Sequence, residues 1–201
     1  MKACGTCSVA RWVKGMVLVE GAEDSTVSQL AQWVVETEKG ITLSDQVQRQ
    51  VVLGLGNTLN RDEGLGVHVL RALEATLGPG AKVEFVDGGV LGLNLLPLVE
   101  ECSHLLLLDA VDAGKAPGTV VELTKEQIPL YGGIKMSQHQ VTFQEVLAFA
   151  DIRGKLPEHL HLIGAQPVDL SIGVDPSPEI VAVFPEMIAR ADKILRDWGL
   201  R

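Results

Sequence analysis

Residues 51–73 read VVLGLGNTLNRDEGLGVHVLRAL, and how they are parsed decides the fold. The run opening at Val51 is apolar and ends in glycines, as a parallel strand buried on both faces does. Beyond Glu63, Leu65, Val69, Leu73 and Leu77 recur at helical spacing and place one apolar face on an amphipathic helix. A strand that passes through a glycine-rich turn into a helix opens a βαβ unit, and in nucleotide-binding versions the helix N-terminus receives a phosphate. Here Gly54 and Gly56 fill the first two places of the dinucleotide pattern, but Leu59 stands in the third, and the Gly-Lys-Ser/Thr ending of a phosphate loop is absent. Asp62 and Glu63 fall at the start of the helix. The helix dipole favours carboxylates there, and they repel a pyrophosphate. The stretch therefore predicts a cation site and no bound nucleotide.

Working outward, the strand–helix rhythm continues. KVEFVDGG (82–89) reads as a strand and LNLLPLVEEC (93–102) as a helix with Cys102, a small buried hydrophobe, at its end. HLLLLDA (104–110) has no polar break and is expected at the centre of the sheet, whereas GTVVELT (118–124) alternates like an edge strand. TFQEVLAFADIRG (142–154) follows as a helix capped by Thr142, and HLHLIGAQP (159–167) as a further strand. The terminal helix lies in SPEIVAVFPEMIARADKILRDWG (177–199), with Ser177 as N-cap, Pro178 at the first position and Pro185 expected to kink it. Alternating elements of this kind imply a three-layer α/β/α sandwich around a twisted, mostly parallel sheet.

Residues 1–47 differ. MVLVEG (16–21) suits one short strand, and DSTVSQLAQWVVETEKG (24–40) one helix capped by Asp24 or Ser25. They form an N-terminal extension of unassigned role before a main domain over 48–201. The whole chain has 201 residues, 46% of them hydrophobic, and a net charge of −9, which argues against nucleic acid or anionic lipid as a partner. No run approaches the apolar length that spans a bilayer, so a cytoplasmic protein is expected. Three cysteines are too few and too odd in number for a disulfide framework, and Cys4 and Cys7 have no further zinc ligands nearby.

In open α/β sheets ligands bind beyond the carboxyl ends of the strands. That rule gathers Asn57, Asp62 and Glu63 after the first strand, Asp87 after the second, and Asp109 and Asp112 after the third. The loop GGIKMSQHQVTF (132–143) adds Ser137, Gln138, His139 and Gln140. Carboxylates with one imidazole suit a borderline divalent metal. Taken singly, Asp62 is as well read as a helix cap and Asp109 as a group satisfying loop amides. His68 and His104 read as structural, and His159 and His161, two apart on one strand, share a face at what is expected to be the opposite edge of the sheet. No G-x-S-x-G elbow or H-E-x-x-H occurs, so any catalysis is expected to be metal-assisted.

Five blocks, GLGNTLNRDEGLGVHVLRAL, VDGGVLGLNLL, LLLLDAVDAGKAPGTV, SQHQVTFQEVLAFA and LIGAQPVDLSIGVDPSPEI, stand in the order and spacing of the nickel–iron hydrogenase maturation endopeptidases. The chain resembles that family from about residue 49 to residue 198. The resemblance implies a twisted sheet flanked by helices, and removal of the C-terminal tail of the hydrogenase large-subunit precursor after nickel insertion. It also places metal ligands at Glu63, Asp109 and His139 and a second-tier substrate contact at Asp87, to which Asn57, gathered at the same edge by the strand-end rule, is added as a candidate substrate contact. Where family members often carry threonine this chain has Val90. The nickel is expected to arrive in the substrate rather than to be a resident cofactor, and the working form is expected to be a monomer. The alternative is a non-catalytic metal checkpoint or chaperone that binds the nickel-loaded precursor without cutting it.

Overall fold

The computed structural model describes residues 48–131 and 143–201, together with two two-residue strands, Ala3–Cys4 and Asp24–Ser25, paired in parallel. The chain divides into two compact units, Met1–Gln46 and Val47–Arg201, and the described fold belongs to the second. Asp24 and Ser25, expected to cap a helix, belong instead to one of the short strands. The MVLVEG strand and the rest of that expected helix lie outside the described residues.

β1 (Arg49–Leu55) leads through a 3-10 turn, Arg61–Gly64, into α1 (Leu65–Leu77). There follow β2 (Glu84–Gly89), the short α2 (Leu96–Glu101), β3 (Cys102–Ala110) and β4 (Val120–Thr124). α3 (Phe143–Ile152), β5 (His159–Ala165) and α4 (Pro178–Asp197) complete the order. The strands line up as β2-β1-β3-β5-β4, parallel throughout except for β4, which runs antiparallel to β5 at the edge. β3 is central and β4 peripheral, as the unbroken and the alternating patterns predicted.

The alternation of side chains along each strand divides the core into two layers. Val51, Leu53, Leu105, Leu107, Leu160 and Leu162 pack with Val99 of α2 and with Val146 and Leu147 of α3. Val52, Leu106, Leu108 and Ile163 turn the other way, onto Leu65, Val69 and Leu73 of α1 and Ile180, Met187 and Leu195 of α4. Helices therefore cover both faces of a mostly parallel sheet, the three-layer sandwich expected. Each fully buried leucine in these layers contributes roughly 1.5–3 kcal/mol.

α1 lies directly on the sheet. A Cβ on Gly66 would stand 2.0 Å from the Leu108 carbonyl oxygen and 2.5 Å from that of Leu55, and one on Gly54 would stand 2.7 Å from the Gly66 oxygen. Gly66 thus does what a third fingerprint glycine does, at a different place in the chain. Cys102 opens β3 instead of ending α2, because the chain turns straight from one into the other. Its thiol donates to the Leu98 carbonyl at 3.1 Å, and burial pushes its pKa up to about 12, so it is an inert packing group. α4 is a single element through Pro185. Thr142, the expected cap of α3, lies outside the described residues. Among the described residues no helix is long and apolar enough to cross a membrane.

Candidate active site

β1 has β2 on one side and β3 on the other. The connection from β1 to β2 runs through α1 on one face, and the connection from β2 to β3 runs through α2 on the opposite face. The chain reverses its winding at β1, which puts the topological switch point beyond the carboxyl ends of β1 and β3, the position at which open α/β sheets bind ligands. Glu63 comes from the turn after β1 and Asp109 from the end of β3.

Backbone geometry brings Glu63 down to the sheet edge. Gly56 has φ 111°, and a Cβ there would fall 1.7 Å from the Glu63 carbonyl oxygen, so only glycine lets the turn fold back over β1. The turn closes on itself: the Asn60 amide donates to the Asn57 carbonyl at 3.0 Å, and the Glu63 amide to that of Asn60 at 2.8 Å. Asn57 Oδ1 accepts the Leu59 amide at 3.0 Å, which makes Asn57 a turn-former at the strand-end edge. Glu63 Oε2 accepts a hydrogen bond from Asn60 Nδ2 at 2.7 Å, which aims a half-buried carboxylate.

Asp109 is 6% exposed. Its Oδ1 accepts only the Ala110 amide, at 2.8 Å, among the hydrogen bonds found for it. Burial pushes its pKa up to about 7, the Ala110 amide opposes that rise, and the charge of Glu63 adds to it. A strand-end carboxyl raised by desolvation and, to a smaller extent, by a like charge marks a candidate functional group. Asp87 is exposed and pairs with Arg71 of α1 at 3.1 Å. It therefore reaches the same strand-end edge as a surface group. Exposed Asp112 spends one oxygen on the Gly114 amide and the Gln166 side chain, at 3.3 and 3.2 Å, and holds a loop.

Asp62 overturns the cation expectation for that residue. It is fully buried, and its carboxylate accepts the amides of Val168, Asp169 and Ser177 and the Ser177 hydroxyl, at 2.7–2.9 Å. Four donors saturate it, so it fastens the loop between β5 and α4 and takes no metal. Ser177 still occupies the N-cap position of α4, but its side chain caps nothing, because the hydroxyl is turned to Asp62. Arg61, beside it, has φ 37°, and its side chain pairs with Asp169 at 3.3 Å. Neither Ser177 nor the 166–177 loop was marked by sequence as part of the site. The readable signal was the alternation of Val168, Leu170, Ile172 and Val174 between Pro167 and Pro176.

His139, with Ser137, Gln138 and Gln140, lies outside the described residues. His68, on α1, has its Nε2 buried without a partner, and burial lowers its pKa. His104 and His159 stack at 4.2 Å at the opposite edge of the sheet, and Trp198 meets the rings of His104 and His161 edge-on at 5.2 and 5.6 Å. That is aromatic packing, not chelation. Among the described residues no three His, Cys, Asp or Glu side chains converge as a metal-binding group.

Comparison with known proteins places this geometry. The family model HycI, described as hydrogenase maturation protease, matches residues 67–194. The hydrogenase expression/formation protein HupD of Rhodobacter capsulatus is 42% identical over 155 residues, covering 76% of this chain and 74% of HupD. The hydrogenase 2 maturation protease of Escherichia coli is 34% identical over 153 residues, covering 76% of this chain and 93% of its own. Among solved structures, the hydrogenase maturating endopeptidase HybD from E. coli superposes with a TM-score of 0.67 at 32% identity, over 76% of this chain and 94% of that one. With a family model matching residues 67–194 and relatives 34–42% identical over 76% of its length, the chain belongs to the hydrogenase maturation protease family, whose members are peptidases.

Proposed function

We propose that this protein removes the C-terminal tail of a nickel–iron hydrogenase large-subunit precursor once nickel is in place, and that it reads the nickel through Glu63, Asp109 and His139. The observation that carries this reading is the placement of Asp109: a buried acid ending β3 at the switch point, with the Glu63 charge near enough to raise its pKa. Nickel here is part of the substrate. Two carboxylates and an imidazole would complete the coordination shell of an ion already held by the precursor, and would hold a free ion only modestly. Asp109 must lose its proton to serve as a ligand, so docking of the loaded precursor releases a proton below about pH 7. A precursor without nickel offers nothing to offset the desolvation of the Asp109 carboxylate. Hydrolysis then adds water across the scissile amide and yields a carboxylate and an amine. Asp87 and Asn57, at the same strand-end edge, would meet the substrate chain. On the same reading the working form is a cytoplasmic monomer, with residues 1–47 an appended module.

The test is to mix the protein with nickel-loaded and nickel-free precursor and weigh the large subunit. Shortening of the loaded form alone is expected. Equal cutting of both would remove the nickel reading, and binding of the loaded form without any cutting would favour a checkpoint role.

A further inference from the structure

The loop between β5 and α4 is held far more firmly than its surface position requires. The Arg61 amide donates to the Gly173 carbonyl at 2.7 Å, the Gly173 amide to that of Leu59 at 2.8 Å, and the Asp62 amide to that of Asp169 at 3.2 Å. Asn60 and Gly173 form an isolated parallel bridge, which joins the loop to residues 59–62. A Cβ on Gly173 would stand 2.9 Å from the Arg61 side chain, and the Asp169 carboxylate pairs with that same arginine. Asp62 ties down the loop at Val168, Asp169 and Ser177.

The residues between these inward anchors face solvent. Val168, Leu170, Ile172 and Val174 are 43%, 52%, 89% and 60% exposed, and Leu59 beside them is 62% exposed. Single exposed aliphatics are ordinary, but four alternating on one immobilised segment with a fifth alongside form a patch of the kind that marks an interaction site. A rigid display also lowers the ordering cost of binding.

We propose that residues 168–174, fastened by Asp62 to the turn that carries Glu63, form an apolar platform that receives an apolar surface segment of the large-subunit precursor and sets its affinity. Asp62 is then a positioning residue. The inference rests on the function proposed above. The occupant follows from continuity: the platform is hydrogen-bonded to residues 59–62, which lead directly into Glu63, so on the proposed function a precursor that reaches Glu63 comes close to it. Its chemistry follows from the side chains, which are aliphatic with no unpaired cation, Arg61 being paired with Asp169.

The experiment measures kcat and KM for nickel-loaded precursor, with wild type as reference, for the double variant Leu170→Ser/Ile172→Ser, for Asp62→Asn and for their combination. Both altered side chains of the double variant are exposed, so its thermal midpoint should match wild type. Its KM should rise at least about tenfold, which corresponds to the loss of a modest apolar contact, while kcat changes little. Asp62→Asn should raise KM in the same way, and the combination should add little beyond the larger single effect, because both act through one platform. Ile152→Ser, an equally exposed change on α3, should leave KM alone. An unchanged KM in the double variant overturns the platform even if Asp62→Asn fails to fold. So does a wild-type dimer that the double variant converts to monomer with processing intact, since the patch would then join two copies of this chain. Failure of wild type to cut any loaded precursor would instead count against the proposed function.

Discussion

Both edges of the sheet carry ionisable residues, and they use them in opposite ways. At the amino-terminal edge most of these groups pair or stack with one another, although His161 Nδ1 is buried without a partner. Arg49 pairs with Glu84 and Glu101, His104 stacks on His159, and Trp198 seals the imidazoles. At the carboxyl-terminal edge Asp109 is buried, accepts the Ala110 amide among the described residues, and has the charge of Glu63 nearby. The comparison teaches that the residue type at a strand end says little about its role. The winding of the chain decides, because the switch point at which open α/β sheets bind ligands lies at the carboxyl-terminal edge.

The contrast breaks most visibly in processing. Glu63→Gln and Asp109→Asn should each cut the rate of precursor shortening by at least about a thousandfold, the loss of roughly 4 kcal/mol of transition-state stabilisation. His139→Ala should behave alike. Normal processing by all three would mean that the carboxyl-terminal edge is not the site.

Next in size is a stability effect at the same edge. Gly66→Val drives a branched side chain into the Leu108 and Leu55 carbonyls and should cost about 3 kcal/mol, read as a fall in the urea midpoint. Retained stability would show that α1 can lift off the sheet without loss.

Smaller, and opposite in sign, is the effect of Asp109 on stability. Its pKa is raised from 3.8 to about 7, so between those values the folded state binds more protons than the unfolded one. Stability from this group is complete below about pH 4 and is lost as pH rises through 7. Asp109→Asn keeps the acceptor for the Ala110 amide and removes the buried charge. The variant should match wild type at pH 4 and exceed it at pH 8 by on the order of 2 kcal/mol, seen in paired thermal scans. Equal midpoints at both pH values would show that Asp109 is solvated.

The smallest effect belongs to the other edge. His159→Ala removes one stacked ring and should cost about 1 kcal/mol while processing continues at the wild-type rate. Burial, and secondarily His159, lower the pKa of His104. Its stabilising contribution is therefore present above its ordinary value of 6.5 and is lost as pH falls, the reverse of Asp109. A processing defect in His159→Ala would erase the distinction between the edges.

Much of this was legible in advance. The β3 run from Leu105 to Leu108 announced a central strand, because a strand covered on both faces has no place for a polar residue. Leu65, Val69 and Leu73 announced the buried face of α1 by period alone. Asp109 could be placed at the ligand edge from topology, since it ends that strand. Asp62 could not be told from Glu63: the two are adjacent carboxylates at one helix start, and what separates them is a loop more than a hundred residues later. Cys102 was assigned to the wrong element, because no spacer separates α2 from β3.

By itself, then, the sequence determined the elements, their order, the absence of a phosphate loop and, through its ordered blocks, the family. Those features depend on local periodicity, on glycine conformation and on the identity of single residues, all of which can be read along one dimension. Tertiary structure alone decided which carboxylates remain available. Asp62 is saturated by donors from the 166–177 loop, Asp109 is raised by burial, and Val168, Leu170, Ile172 and Val174 stand exposed on a backbone fastened to the turn before Glu63. Desolvation and hydrogen-bond saturation depend on every neighbour in space, and those neighbours come from strands and loops that the chain brings together only when it folds.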